Sequence, residues 1–475
     1  MIETVHIYHT NDLHSHFDRW PKITKYITEM RNLHQANNEE MLLIDIGDHI
    51  DRFHPISEAS HGKMNVQLLN QLEYDYATIG NNEGITMSYE HLDSLYDDAE
   101  FKVLLANLFD RDGKLPNWAD PYHIHVLPSG FRIGIIGLTV HYIGLYKLLG
   151  WNVKDPLAIL QETINELKDK TDMILLMSHL GINEDEQIAR DFPDVDVLLG
   201  GHTHHLLENG KRINNTLLCC AQKYGNYIGH VTLKIDTEEK RLIESAANVI
   251  PTKSLSESKE TTEILSEYMA KSIHTLQHDV VAEIEQPLQS DWFAETSFSK
   301  LLAEVLREWC EGDISMVNAG LLLDSLPTGM VTREDLHRIC PHPINPCKVW
   351  VKGDELKEII LQANTKEMEN LRIKGLGFRG EVMGKMVYDG VEHNTSKLSD
   401  GLDHITDIKI NGEDLDPDKT YSIATIDMFT FGSLFPVIRD AKDKKYYMPE
   451  FLRDLLAEKL KSNQQNVLKI RSQKD

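Results

Sequence analysis

Positive charge is scarce in this chain. Its 475 residues carry 49 lysines and arginines against 75 aspartates and glutamates, a formal net charge of −26. That balance repels nucleic-acid backbones and anionic membranes, so neither is expected as a partner. An anionic substrate would need local positive charge, and bound metal is the obvious source. Long apolar runs are missing too. No stretch approaches the ~20 residues that span a bilayer. No secretory leader is expected, because Met1 leads straight into the strand-like Val5-His6-Ile7-Tyr8 without a basic and an apolar region. Cysteine is sparse, at five residues, and the number is odd. Cys219 and Cys220 are adjacent, while Cys310, Cys340 and Cys347 are scattered without zinc-site spacing. That pattern argues against a disulfide framework and fits reduced thiols in a cytoplasmic protein.

What is present is ordinary for a globular chain: 41% hydrophobic and 26% charged residues. The length exceeds one core, so two domains are expected. Short β-rich runs fall at 5–8, 41–45, 76–79, 103–106, 131–138, 173–177 and 197–199, with helical patterns between them at 63–72, 156–168 and 185–191. This alternation predicts an α/β sheet covered by helices. Further strands at 228–235 and 241–250 complete the sheet layer. Residues 254–281 are polar, charged and free of Gly and Pro. They read as a linker helix or as a surface helix of the first domain. A second α/β unit follows from about 284. The expected division is 1–253, a linker at 254–283, and 284–475.

Polar clusters sit directly after predicted strands, where open α/β sheets gather ligands. They are Asp12-Leu13-His14, Asp45-Ile46-Gly47-Asp48, Gly80-Asn81-Asn82-Glu83, and Ser178-His179 with Gly200-Gly201-His202-Thr203-His204. Carboxylate and amide oxygens with imidazole nitrogens suit divalent Mn, Fe, Zn, Co or Ni. Two cations a few ångströms apart need a carboxylate between them. Asp48, at the end of an apolar strand beside Gly47, is placed for that role. Such a pair lowers the pKa of a bridging water to about 7 and clamps phosphoryl oxygens.

Together with His9-Thr10-Asn11 before the first cluster and Leu180-Gly181 after His179, these motifs resemble the calcineurin-type metallophosphoesterases. The nearest branch is the bacterial 5′-nucleotidase/UDP-sugar hydrolase family. The resemblance implies a four-layer α-β-β-α sandwich, a linker helix and a C-terminal substrate-recognition domain. It also implies two divalent metal ions, with Asp12, His14, Asp48 and His204 on one, and Asp48, Asn81, His179 and His202 on the other. The implied substrate is a small phosphorylated molecule, a nucleotide or nucleotide sugar.

The chain departs from that pattern. The family reads Gly-Asn-His-Glu at the third cluster, and an Asp orients its catalytic His. Here the His is Asn82, and Ile85 stands near the place of the Asp. Asn82 can donate a hydrogen bond to a phosphoryl oxygen but not a proton. General-acid help is worth about 10²–10⁴-fold, and it matters least when phosphate leaves, with a pKa of about 6. Anhydrides are therefore expected to be favoured over 5′-monophosphates. Alternatively His49, His54, His141 or His205 supplies the proton.

In the second half, Asn318-Ala319-Gly320-Leu321-Leu322-Leu323 falls where the family has Asn-Gly-Gly-x-Arg, so the phosphate arginine is missing. Asn318 is a candidate substrate contact. Phe378, in Gly377-Phe378-Arg379-Gly380, resembles a base-stacking ring exposed between glycines, and Arg379 is a candidate replacement cation. Phe431, or Phe429, is the candidate second stacker. Two other readings stay open: a metal- or nucleotide-binding regulator with weakened catalysis, and a cyclic-nucleotide phosphodiesterase.

Overall fold

Alternate residues of strand β1 (Ile2–Thr10) point to two different layers. Val5 and Ile7 face inward, while Tyr8 packs beneath helix α1 (Trp20–Asn37). The computed structural model describes residues 1–397 and 403–472. It divides into two units, Met1–Ser272 and Ile273–Asp475.

The first unit holds two six-stranded sheets. One contains β1, β2 (Glu40–Asp45), β3 (Tyr76–Ala77) and β4 (Lys102–Val103). The other contains β5 (Tyr122–Val126), β6 (Arg132–Thr139), β7 (Met173–His179), β8 (Val197–Gly200), β9 (Lys211–Ile213) and β10 (Thr216–Cys220). Strands β11 (Tyr227–Asp236) and β12 (Arg241–Pro251) return to the first sheet. The orders are β12-β11-β1-β2-β3-β4 and β9-β10-β8-β7-β6-β5. Val5, Ile7, Leu42 and Ile44 meet Ile133, Ile135, Leu175 and Leu199 in a core between the sheets. Leu138, Leu176 and Leu198 instead face helices α4 (Pro156–Leu167) and α5 (Ile182–Asp191), whose Leu160, Ile164 and Ile188 cover them. Helices α2 (Lys63–Gln71) and α3 (Asn81–Thr86) lie between α1 and α4 in sequence. The expected helix–sheet–sheet–helix layering is therefore present.

Two strands are shorter than expected. After Ala77 the chain turns into the third polar cluster, so β3 stops there. After Val103, the amides of Leu105 and Ala106 bond Asp120 and Gly137, which draws the chain from the first sheet toward β6. The parallel strands β1, β2 and β3, and likewise β6, β7 and β8, bring their carboxyl ends together.

Helix α6 (Lys259–His278) occupies most of the linker segment, and the boundary between units falls inside it. Val280–Ile284 is a strand paired with Gly329–Thr332, so the helical pattern ends earlier than 281. The largest sheet of the second unit among the described residues is five-stranded and mixed, in the order Met386–Asp389, Ile314–Asn318, Thr420–Ile426, Pro346–Lys352, Lys444–Tyr446. Helices Ser297–Cys310 and Leu452–Ser472 pack on each other beside it. Among the described residues no helix is long and apolar enough to cross a membrane.

Candidate metal centre

The polar clusters turn sharply off their strands. Asp12, His14, Asp48, His202 and His204 all take φ between 50° and 69°, a region that side chains rarely adopt. Backbone strain of this kind concentrates at functional sites. Cross-loop bonds hold it in place. Asp12 N–H donates to Gly47 O (3.0 Å) and His14 N–H to Asp48 O (2.8 Å). Glu83, fully buried, ties the second cluster to the third. Its carboxylate accepts from the amides of Asp48 (3.0 Å), Gly80 (2.8 Å) and Ile50 (2.9 Å). Glycine is required where the backbone crowds the ligands. A Cβ on Gly80 would lie 2.0 Å from Asp48 Oδ1, and one on Gly201 would lie 3.0 Å from His179 Nδ1.

The side chains gather in two groups: Asp12, His14 and His204, and Asp48, His179 and His202. In each, the potential ligand atoms lie within 4.8 Å of one another. His204 Nε2 is 3.4 Å from Asp12 Oδ1 and 3.2 Å from His14 Nε2. Asp48 Oδ2 is 3.7 Å from His14 Nε2 and 3.4 Å from His179 Nε2, so it stands between the groups. Its other oxygen accepts from Asn82 N–H (2.7 Å). Asn81 Oδ1 lies 2.8 Å from His202 Nδ1 and joins the second group.

These residues fit divalent metal ions. Bonds of about 2.1 Å put neighbouring ligand atoms about 3.0–3.4 Å apart, close to the separations here. His179 supplies the sharpest observation. Its Nδ1 faces Ile46 O at 2.7 Å, while its buried Nε2 has no hydrogen-bond partner and points between the carboxylates. That pattern, one ring nitrogen on a backbone carbonyl and the other on a cation, is the usual one for a ligating histidine. Burial alone would lower the basicity of this ring, but the Asp48 carboxylate pushes it up to about 10. Negative charge at the centre thus exceeds what the protein compensates. Among the described residues no lysine or arginine bonds to Asp12 or Asp48.

Asn82 does not project toward a substrate, as its expected donor role requires. It is buried, its Nδ2 donates to Ile50 O (2.9 Å) and sits 2.9 Å from His14 Nδ1, and its Oδ1 accepts from Asn81 (3.2 Å). Three of the four alternative histidines, His49, His54 and His205, have other surroundings. His49 is buried beside Trp20 and pushed down to about 3 by that burial. His54 caps the helix Pro55–Ser60, and His205 bonds Thr203. Sequence reasoning missed the Glu83 clamp, although a Glu three residues into a helix is a capping signal. It also missed Tyr142, whose hydroxyl reaches His202 (3.1 Å) and which has no local sequence signal.

The candidates in the second unit divide. Asn318 is fully buried and donates to Met383 O (2.7 Å). Phe378 is 4% exposed and stacks on His342 at 5.2 Å, so the expected exposed ring is instead a core ring. Arg379 donates to Phe378 O (3.2 Å). Phe431 is exposed and lies parallel to Tyr446; Phe429 is buried against Phe435. A further group in the first unit, His6, His34 and Glu39, is joined by hydrogen bonds through Tyr8 and His230, and its imidazoles stack at 3.8 Å. Stacked rings aim their lone pairs side by side rather than at one point, so this is a hydrogen-bond network.

A family model described as calcineurin-like phosphoesterase matches residues 5–206, and one described as the 5′-nucleotidase C-terminal domain matches residues 274–438. The chain belongs to the calcineurin-like metallophosphoesterases, in the two-domain form that carries a 5′-nucleotidase C-terminal domain. It is accordingly a phosphoester hydrolase that uses two divalent metal ions. It is 53% identical over 461 residues to the uncharacterized metallophosphoesterase YunD of Bacillus subtilis, covering 97% of this chain and 100% of that protein. Among solved structures it resembles the NAD nucleotidase of Haemophilus influenzae (TM-score 0.68, 17% identity, 97% of both chains). It also resembles a 5′-nucleotidase of Staphylococcus aureus (TM-score 0.67, 18% identity, 96% of both chains). At that identity the likeness to solved structures concerns the fold.

Proposed function

We propose that the protein cleaves phosphoanhydride bonds of nucleotides or nucleotide sugars in preference to 5′-monophosphate esters. Asp12, His14 and His204 would hold one cation, and Asn81, His179 and His202 the other, with Asp48 standing between the two groups. When bound, the two ions supply a water-derived nucleophile at neutral pH and positive charge for the phosphoryl oxygens. The chain's own residues hold those ligands at fixed separations through the Glu83 clamp and the Ile46 carbonyl.

The observation that carries the preference is the state of Asn82. It carries no transferable proton, and its amide is bonded inside the protein. A poor leaving group such as a ribose hydroxyl then departs without help, whereas a phosphate needs little. The match of residues 274–438 to the 5′-nucleotidase C-terminal domain supports the nucleotide class. The five buried thiols, none in a disulfide, support a reducing, cytoplasmic location.

The test is turnover with added Mn²⁺ on ADP and UDP-glucose against AMP and a 2′,3′-cyclic nucleotide. UDP-glucose is coupled to a phosphatase, because cleaving its anhydride frees no inorganic phosphate. Asp48→Asn serves as the blank. Faster turnover of ADP or UDP-glucose that vanishes in the variant supports the proposal; faster turnover of AMP overturns the leaving-group argument.

A further inference from the structure

Strand β6 ends at Thr139, and the next turn of chain sends two tyrosines in different directions. Tyr146, in the helix Ile143–Leu148, is fully buried with its hydroxyl 3.2 Å from Thr139 Oγ1. It fills the space beside Gly84, where a Cβ would meet that hydroxyl at 2.1 Å. So the region near Ile85, where the family keeps its orienting Asp, is closed by a buried phenol. Tyr142, one turn earlier, is 39% exposed. Its hydroxyl lies 3.1 Å from His202 Nε2, and its ring meets that imidazole edge-on at 6.0 Å.

The bond direction follows from the ring. His202 Nδ1 lies beside Asn81 Oδ1 at 2.8 Å and is the nitrogen turned toward the second group of ligands. An imidazole that gives Nδ1 to a cation keeps its proton on Nε2. That N–H donates to the Tyr142 oxygen. The phenol proton is then unused, since among the described residues the hydroxyl has no other hydrogen-bond partner. A phenol hydroxyl can accept one hydrogen bond and donate another.

Resting on the phosphohydrolase reading, we propose that Tyr142 donates a hydrogen bond to a phosphoryl oxygen of the substrate. It restores the charge-stabilising part of the role that Asn82 has lost, without the proton transfer. Three observations meet here. Asn82 is bonded inward, among the described residues no lysine or arginine bonds to the carboxylates, and Tyr142 is an exposed donor on the outer edge of a candidate ligand histidine.

The experiment is Tyr142→Phe in the full-length, metal-loaded protein. It is read by metal content, by orthovanadate affinity in calorimetry, and by kcat and KM on ADP, AMP and p-nitrophenyl phosphate. The expected result is two ions retained, vanadate bound at least about tenfold more weakly, and kcat lowered about 10²-fold on every substrate with KM changed less. A common factor is the signature of a contact to the transferred phosphoryl group. Unchanged vanadate affinity and kcat overturn the proposal. Loss of one ion, with turnover restored by excess metal, also overturns it and leaves Tyr142 only as the residue that orients His202. A factor that grows with leaving-group basicity overturns it in favour of proton donation. If the wild type turns over none of these phosphates yet its vanadate affinity falls in the variant, the substrate reading fails and the Tyr142 contact stands.

Discussion

Glu83→Gln tests whether the two metal-bearing loops are held by one buried carboxylate. In the wild type, Oε2 accepts from the amides of Asp48 and Gly80, and Oε1 from that of Ile50, at 2.8–3.0 Å. A glutamine has one oxygen for three donors. If it keeps Asp48 and Gly80, its NH2 faces the Ile50 N–H, donor against donor. One buried amide is then unsatisfied, which costs about 1–3 kcal/mol, and the other bonds lose their charge assistance, worth about 1 kcal/mol more. A total of about 2–4 kcal/mol falls on the loops that carry Asp48, Asn81 and Asn82. Spent on metal binding, 2 kcal/mol weakens one ion about 30-fold. The assay is a calorimetric Mn²⁺ titration of metal-free protein beside a urea unfolding curve. Wild-type affinity for both ions, together with an unchanged urea midpoint, would refute the clamp.

Three further outcomes are expected. Gly80→Ala forces a Cβ to within 2.0 Å of Asp48 Oδ1 and 2.6 Å of His179 Cε1, so purified protein should hold one ion or fewer by elemental analysis. Phe378→Ala should destabilise the second unit by about 3–5 kcal/mol in denaturant, because it empties a core position instead of removing an exposed stacking face. His342 is pushed down to about 3 by burial; its Nδ1 accepts from Arg379 N–H and its Nε2 faces Leu321 O, both at 2.9 Å. The unfolded chain therefore binds more protons between about pH 6.5 and 3, and stability rises with pH across that window. Urea midpoints of metal-free His342→Asn should show an acid slope shallower by up to about 1.4 kcal/mol per pH unit.

The glycines around Phe378 show where local reading fails. Glycine on both sides suggested a loop that exposes its ring. In the fold, a Cβ on Gly380 would meet Phe378 Cζ at 2.5 Å, and one on Gly377 would meet Pro343 O at 2.8 Å. Both glycines let the chain close over a buried ring, and only the identity of the packing partners separates the two uses. Asn318 follows the same rule, since its place at a strand end does not reveal that Met383 O takes its amide.

The layers and the candidate ligand clusters are legible because they obey local rules. Strand alternation assigns Val5 and Ile7 to one face, and polar residues directly after apolar strands mark the carboxyl ends where parallel strands present ligands. Asp12, Asp48, His179 and His202 are therefore written into the sequence by type and place. Which of them gather into one group, which glycines leave room for them, and that Asn82 turns inward while Tyr142 reaches His202 belong to the tertiary structure. These are contacts between residues tens to hundreds of positions apart, and a periodic pattern along the chain carries no information about which distant loops the packing of two sheets will bring within hydrogen-bond reach.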